Sequence, residues 1–205
     1  TEFLWHHPTN APRAYQGGEW FADVFCGGWD ELFPSCEACE FQGLHIPDHG
    51  ELWSTSWDWA IESSTLYTGV TAKVFPVRFE RWLTLDPHKP VIYLRYRLKN
   101  LSANDLELIW GIHPLFNITP HHRIDLPPGN MQVDLSSSAS LGNVGQTYEW
   151  PFLLTPSGTR DMRVLPGPDA KTFAGHYCTK SSSSWFALTD TKKCVGIAMI
   201  YPQEI

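Results

Sequence analysis

The sequence predicts an all-β fold, an antiparallel β-sandwich, on three observations. Sixteen prolines and fifteen glycines are spread through 205 residues, which leaves little room for long helices and suits many short strands with turns between them. Long mid-chain stretches alternate apolar and polar side chains in the manner of a half-buried strand. No segment carries a convincing amphipathic helical pattern, and a chain with this many strands must protect its edges in a sandwich or barrel. Stacked sheets suit strands of irregular length better than a barrel does.

The element with the clearest alternation is "LYTGVTAKVFPVRFERWLTLD", Leu66 to Asp86. It sets Val74, Pro76, Arg78 and Glu80 against Phe75, Val77, Phe79 and Arg81, and reads as one long strand. "VIYLRYRLKN", Val91 to Asn100, alternates in the same way, and the link "DPHKP" is rich in turn formers, so the two predict a hairpin. "NLSAND" supplies the next turn, before "LELIWGIHPLF" starts another strand. "HHRIDLPPGNMQVDL" predicts two short strands around Pro127-Pro128-Gly129, and "TFAGHYCTK", "WFALTD" and "VGIAMIYP" predict three more, with "TDTKK" as a hairpin turn and Ser181 to Ser184 as a loop. A single domain over residues 1–205 is expected from the length and the lack of internal repeats.

Charge and composition narrow the function classes. The net charge is −7, and the longest basic run is Lys192-Lys193, so neither nucleic acid nor an anionic membrane is the expected partner. No window is long and apolar enough for a membrane helix, and "TEFLWHHPTN" has no signal-peptide pattern, so a cytoplasmic protein is expected. Five cysteines are an odd number, consistent with reduced, buried thiols, and the C-x-x-C of Cys36 and Cys39 has no second pair to complete a zinc site. The sequons at Asn100 and Asn117 matter only in a secreted protein. Ten Trp, seven Tyr and eleven Phe supply either a β-rich core or a stacking surface for flat ligand faces, such as those of sugars.

Among nine histidines, His6, His7, His88, His121 and His122 lie in Pro-rich polar loops and read as solvated. Two are differently placed. His49 sits in "IPDHGELWSTSW", on a glycine-flanked turn at the mouth of a strand bearing Trp53, Trp57 and Trp59. His113 ends the apolar strand "LELIWGI", where the chain turns at Pro114. Position alone favours a hydrogen-bonded structural histidine slightly over a catalytic one, and the loop setting keeps both readings open.

Three segments in order, "GGWDELFPSCE" (Gly27 to Glu37), "PDHGELWSTSW" (Pro47 to Trp57) and "WGIHPLFNI" (Trp110 to Ile118), resemble the galactose mutarotase, or aldose 1-epimerase, family. The resemblance spans most of the chain. It implies a β-supersandwich, a small-molecule sugar bound in a cleft, and ring opening by acid and base with no cofactor and no metal. It gives His113 the part of general acid at the ring oxygen and His49 that of orienting the same region. It places Asp48, Glu51, Trp53, Trp29 and Glu31 against the sugar, with Gly50 admitting the ligand closely. The family's arginine is missing from "GGWDELFP", and Arg13 is the expected substitute. Its general base is a C-terminal Glu followed by Pro. Glu204 is the only late carboxylate here and lacks that proline, so the resemblance also implies closing strands beyond Ile205 and an earlier hairpin before Thr1.

Two other readings compete. A catalytically silent carbohydrate-binding domain would keep the aromatic cleft without the acid and base. A cupin-like metal site would use His45, Asp48 and His49, although in an extended strand Asp48 would point away from both histidines. Glu51 has an alternative as the cross-strand partner of Arg78. Arg78, Arg81, Arg95 and Arg97 read as an alternating solvent face rather than a phosphate pocket.

Overall fold

A computed structural model of the chain describes residues 2–11, 21–135 and 137–203. It is nearly all-β, with 46% of residues in strands and 5% in helix, arranged in several antiparallel sheets. Two compact units divide it, Thr1–Phe116 and Asn117–Ile205.

The first unit contains a single helical turn, α1 (Phe21–Val24), and strands β1 (Trp29–Leu32), β2 (Cys39–Phe41), β3 (Leu44–Ile46), β4 (Asp58–Glu62), β5 (Thr65–Thr71), β6 (Val77–Leu85), β7 (Ile92–Asn100) and β8 (Gly111–Pro114). Strands β4 to β7 form a four-stranded antiparallel meander, β2 pairs with β3, and β1 pairs with β8. The expected hairpin of Leu66–Asp86 with Val91–Asn100 is present as β6 and β7. However, Leu66–Asp86 is two strands and not one: the chain reverses between Ala72 and Pro76, where the Ala72 N–H donates to the Val77 carbonyl at 3.0 Å. Pro76, which cannot donate to a ladder, falls inside that reversal. The tryptophan run is also no strand, since Trp53 lies on a turn and only Trp59 belongs to β4. In "LELIWGIHPLF" only Gly111–Pro114 is strand.

The core of this unit lies on one face of the meander. Val70, Val77 and Phe79 point from the sheet onto Phe33, Ile46, Leu52 and Phe75, and Tyr96, Leu98 and Trp110 pack at the margin. Burying a side chain such as Phe33 or Phe79 contributes about 1.5–3 kcal/mol each. The opposite face carries Tyr67, Trp82 and Arg95 side by side in register, with the Arg95 guanidinium 4.2 Å over the Trp82 ring. Arg78 on that face contacts Tyr67 and Asp58.

The second unit carries β9 (His122–Asp125), β10 (Gly129–Val133), β11 (Thr147–Glu149), β12 (Phe152–Thr155), β13 (Gly158–Asp161), β14 (His176–Ser181), β15 (Trp185–Asp190) and β16 (Val195–Ile200), with short 3-10 turns at Ala139–Leu141 and Pro168–Ala170. Its sheets are β11-β10-β14, β16-β15-β9 and the hairpin β12-β13. Met131, Val133, Tyr148 and Leu153 form a core cluster, with Leu126, Trp150 and Met162 against it. The strands expected around Pro127-Pro128-Gly129 and after Gly175 occur here, and the "TDTKK" turn is closed by Asp190, whose carboxylate accepts from the Lys192 and Lys193 amides.

Several side chains depart from expectation. His122 is a strand residue of β9, and its Nδ1 lies 3.0 Å from the Thr119 amide, so it is not a solvated loop histidine. His7 Nδ1 accepts from the Asn10 amide at 3.0 Å. Cys39, Cys178 and Cys194 are exposed rather than buried, and all five thiols are free.

Candidate functional site

The site grows from the pairing of β1 with β8. Their register sets Asp30 opposite His113, and the Asp30 Oδ1 accepts from His113 Nδ1 at 2.9 Å. Asp30 is buried, and its second oxygen, Oδ2, is shut off from water without a hydrogen-bond partner. Because a carboxylate only accepts, the Nδ1 of His113 carries the proton in this contact, which leaves Nε2 as the nitrogen that can exchange one.

The "PDHG" turn is pinned to the end of the same strand. The Gly50 N–H closes the turn on the Pro47 carbonyl at 2.9 Å, and the Glu51 N–H donates to the Phe33 carbonyl at 2.8 Å. His49 and Gly50 both have left-handed backbone, with φ of 62° and 73°. A Cβ on Gly50 would fall 1.9 Å from the Phe33 carbonyl oxygen. This glycine therefore admits the neighbouring backbone, and not a ligand as the sequence suggested. The consequence is that His49 comes to rest 5.1 Å from His113, centroid to centroid. Phe21 of α1 stacks flat on His49 at 3.7 Å, and Trp53 meets Phe21 edge-on at 5.0 Å. Asp48 Oδ1 lies 3.1 Å from His49 Nδ1, close enough for an ion pair, but the direction is wrong for a hydrogen bond, and Nδ1 has no such partner. Trp53 Nε1 donates to the Asp48 carbonyl at 3.0 Å and steadies the turn from below.

Beside this pair lies a cleft of about 290 Å³, at the small end for a small-molecule site, with Trp29, Trp53, Trp57, Asp30, Glu31 and Arg81 in its wall. His49 and His113 do not line it directly; Asp30 connects His113 to it. The Trp29 Nε1 is buried without a partner. Arg81 spreads over the Trp57 ring at 5.2 Å, and its Nη1 donates to Glu31 at 2.8 Å.

The register explains how Glu31 is held. Thr68, Arg81 and Tyr96 are neighbours across β5, β6 and β7 on the core face. Arg81 Nη1 and the Tyr96 hydroxyl both reach Glu31 Oε1, while Trp110 Nε1 donates to Oε2 at 3.0 Å. At 2% exposure Glu31 has its pKa raised, with burial outweighing the Arg81 charge and the three donors. Tyr96 is raised too, first by burial and then by the Glu31 charge. Arg81 is thus not part of a solvent face with Arg78, Arg95 and Arg97, but faces inward.

Glu51 is placed elsewhere. Its Oε2 accepts from the Lys73 and Val74 amides and its Oε1 from the Phe75 amide, so the carboxylate closes the β5–β6 turn and contacts neither the cleft nor Arg78. His45 pairs with Glu40 at 2.8 Å and takes no part with Asp48 and His49. Among the described residues no group of three or more His, Cys, Asp or Glu is placed to hold a metal ion. Arg13 and Glu204 lie outside the described residues.

Sequence reasoning missed Asp30, Arg81 and Phe21. Asp30 gave no local signal, because its partner lies 83 residues away. Arg81 did give one: it shares the alternation phase of Val77 and Phe79, a cation on an apolar face. Among the described residues no helix is long and apolar enough to cross a membrane. No family model, curated protein or solved structure matches this chain.

Proposed function

We propose that the first unit binds a sugar across the His49–His113 pair and the adjoining Trp29–Trp53–Trp57 cleft and acts on it as an aldose 1-epimerase, on a galactose mutarotase-like supersandwich scaffold. The observation that carries the reading is the Asp30–His113 pair with His49 beside it, next to a cleft walled by Trp29, Trp53 and Trp57. A sugar hydroxyl both donates and accepts, and a sugar's apolar ring face suits indole.

In this reading a base takes the proton from the C1 hydroxyl while an acid delivers one to the ring oxygen. The C1–O5 bond breaks, the aldehyde forms at C1, rotation about C1–C2 exposes its other face, and the reverse steps close the other anomer. His113 is the acid, acting through Nε2 while Asp30 fixes Nδ1. His49 steadies the same oxygen. NMR exchange spectroscopy between the anomers of free D-galactose and D-glucose tests this. Acceleration over the spontaneous rate, abolished by His113→Asn, is expected, and a wild-type rate equal to the spontaneous one overturns it.

One observation favours the silent carbohydrate-binding domain: Phe21 covers a face of His49 at 3.7 Å. Sugar binding without anomer exchange, in both the wild type and Phe21→Ala, would establish that second reading.

A further inference from the structure

The second unit holds a larger cavity of about 500 Å³, unrelated to the sugar reading. Its floor is buried and apolar, with Met131, Leu141 and Tyr148 all below 10% exposure, and its rim is apolar yet open, with Ile118, Val164 and Phe173 at 59%, 55% and 61%. Isolated exposed apolar side chains are ordinary, but three around one buried apolar floor form a site for an apolar body.

The charged groups in the wall have a single sign. Arg160 and Lys171 line the cavity, no Asp or Glu does among its described lining residues, and neither cation has an ion pair or side-chain hydrogen bond among the described residues. Asp161, next to Arg160 in sequence, is already taken by Arg163. Two further polar atoms of the lining residues are buried without a hydrogen bond, Thr172 Oγ1 and His176 Nε2. The Tyr148 hydroxyl sits 2.8 Å from His176 Nδ1. Burial pushes the Tyr148 pKa up to about 12, so this phenol keeps its proton and shares a hydrogen bond with Nδ1, while Nε2 is left buried with no hydrogen bond of its own. The Leu141 backbone lies near enough to offset part of the burial effect on the imidazole, yet Nε2 makes no hydrogen bond.

We infer that this cavity binds a small amphiphilic carboxylate, its apolar body on the Met131–Leu141–Trp150 floor and its acid group against Arg160 or Lys171. Apolar walls alone would accept a neutral molecule or another protein surface. Two unpaired cations with no acid among the described lining residues select an anion.

Isothermal titration of the whole chain with decanoate, and with 1-decanol as the uncharged control, tests the proposal. Saturable one-to-one binding of decanoate is expected, about tenfold or more tighter than decanol, the difference expected of one charge-assisted hydrogen bond. The double variant R160Q/K171Q should lose that advantage while keeping its decanol affinity, which shows that the cavity remains folded. Equal affinity for the two probes, no saturable binding, or self-association of the chain through this face in place of ligand binding would overturn it. The sugar assay reads a different unit, so failure here leaves the epimerase reading untouched.

Discussion

Replacing Glu51 by Gln separates a carboxylate that meets the substrate from one that holds a turn. The structure gives both oxygens to backbone amides, Oε2 to Lys73 and Val74 at 2.5 and 2.9 Å and Oε1 to Phe75 at 2.9 Å. A glutamine can present its carbonyl to the first two, but its NH₂ must then face the Phe75 N–H, a donor against a donor. The lost bond and the buried donor left behind cost about 1–3 kcal/mol, and each of the two remaining bonds weakens by about 1 kcal/mol on losing the acceptor's charge. The sum is about 3–5 kcal/mol, a large share of the 5–15 kcal/mol typical of a domain. Urea unfolding followed by tryptophan fluorescence reads it, with amide exchange at residues 73–75 locating the change. A loss below about 1 kcal/mol together with weakened sugar binding would refute the structural assignment and return Glu51 to the cleft.

Removing the Arg81 charge with Arg81→Met should be comparably severe. It strips Glu31 of its cation in a buried setting, for an expected loss of about 3–5 kcal/mol in urea unfolding, and a loss under about 1 kcal/mol would show the pair to be dispensable. Gly50→Ala forces a Cβ to within 1.9 Å of the Phe33 carbonyl oxygen at a left-handed φ. A cost of at least about 2 kcal/mol is expected, read as a melting-temperature drop of roughly 6 °C or more, and an unchanged melting temperature would mean that the turn is not pinned to β1. Burial depresses the pKa of His176 below its ordinary value of 6.5. The unfolded chain then binds more protons, so this group's stabilising contribution is full above pH 6.5 and declines as pH falls through the folded value. Amide protection factors in β10 and β14, corrected for the intrinsic pH dependence of exchange, should fall over that window in the wild type and lose the extra slope in His176→Gln; the same slope in both would refute it.

The sequence by itself determined the all-β class, because proline and glycine spacing forbids long helices and a two-residue alternation is local information. Strands β6, β7, β9, β10, β15 and β16 follow from it. It also singled out His49 and His113 through short motifs, and the structure sets the two rings side by side. What it could not determine is pairing between distant segments. The union of β1 with β8 decides that Asp30 serves His113, and the register of β5, β6 and β7 decides that Thr68, Arg81 and Tyr96 gather where Glu31 is buried. Glu51 stands beside His49 in sequence, yet the fold turns it to the amides of residues 73–75. The physical reason is the same throughout: alternation fixes which face a side chain takes, while its partner on that face is set by contacts that only the closed chain makes.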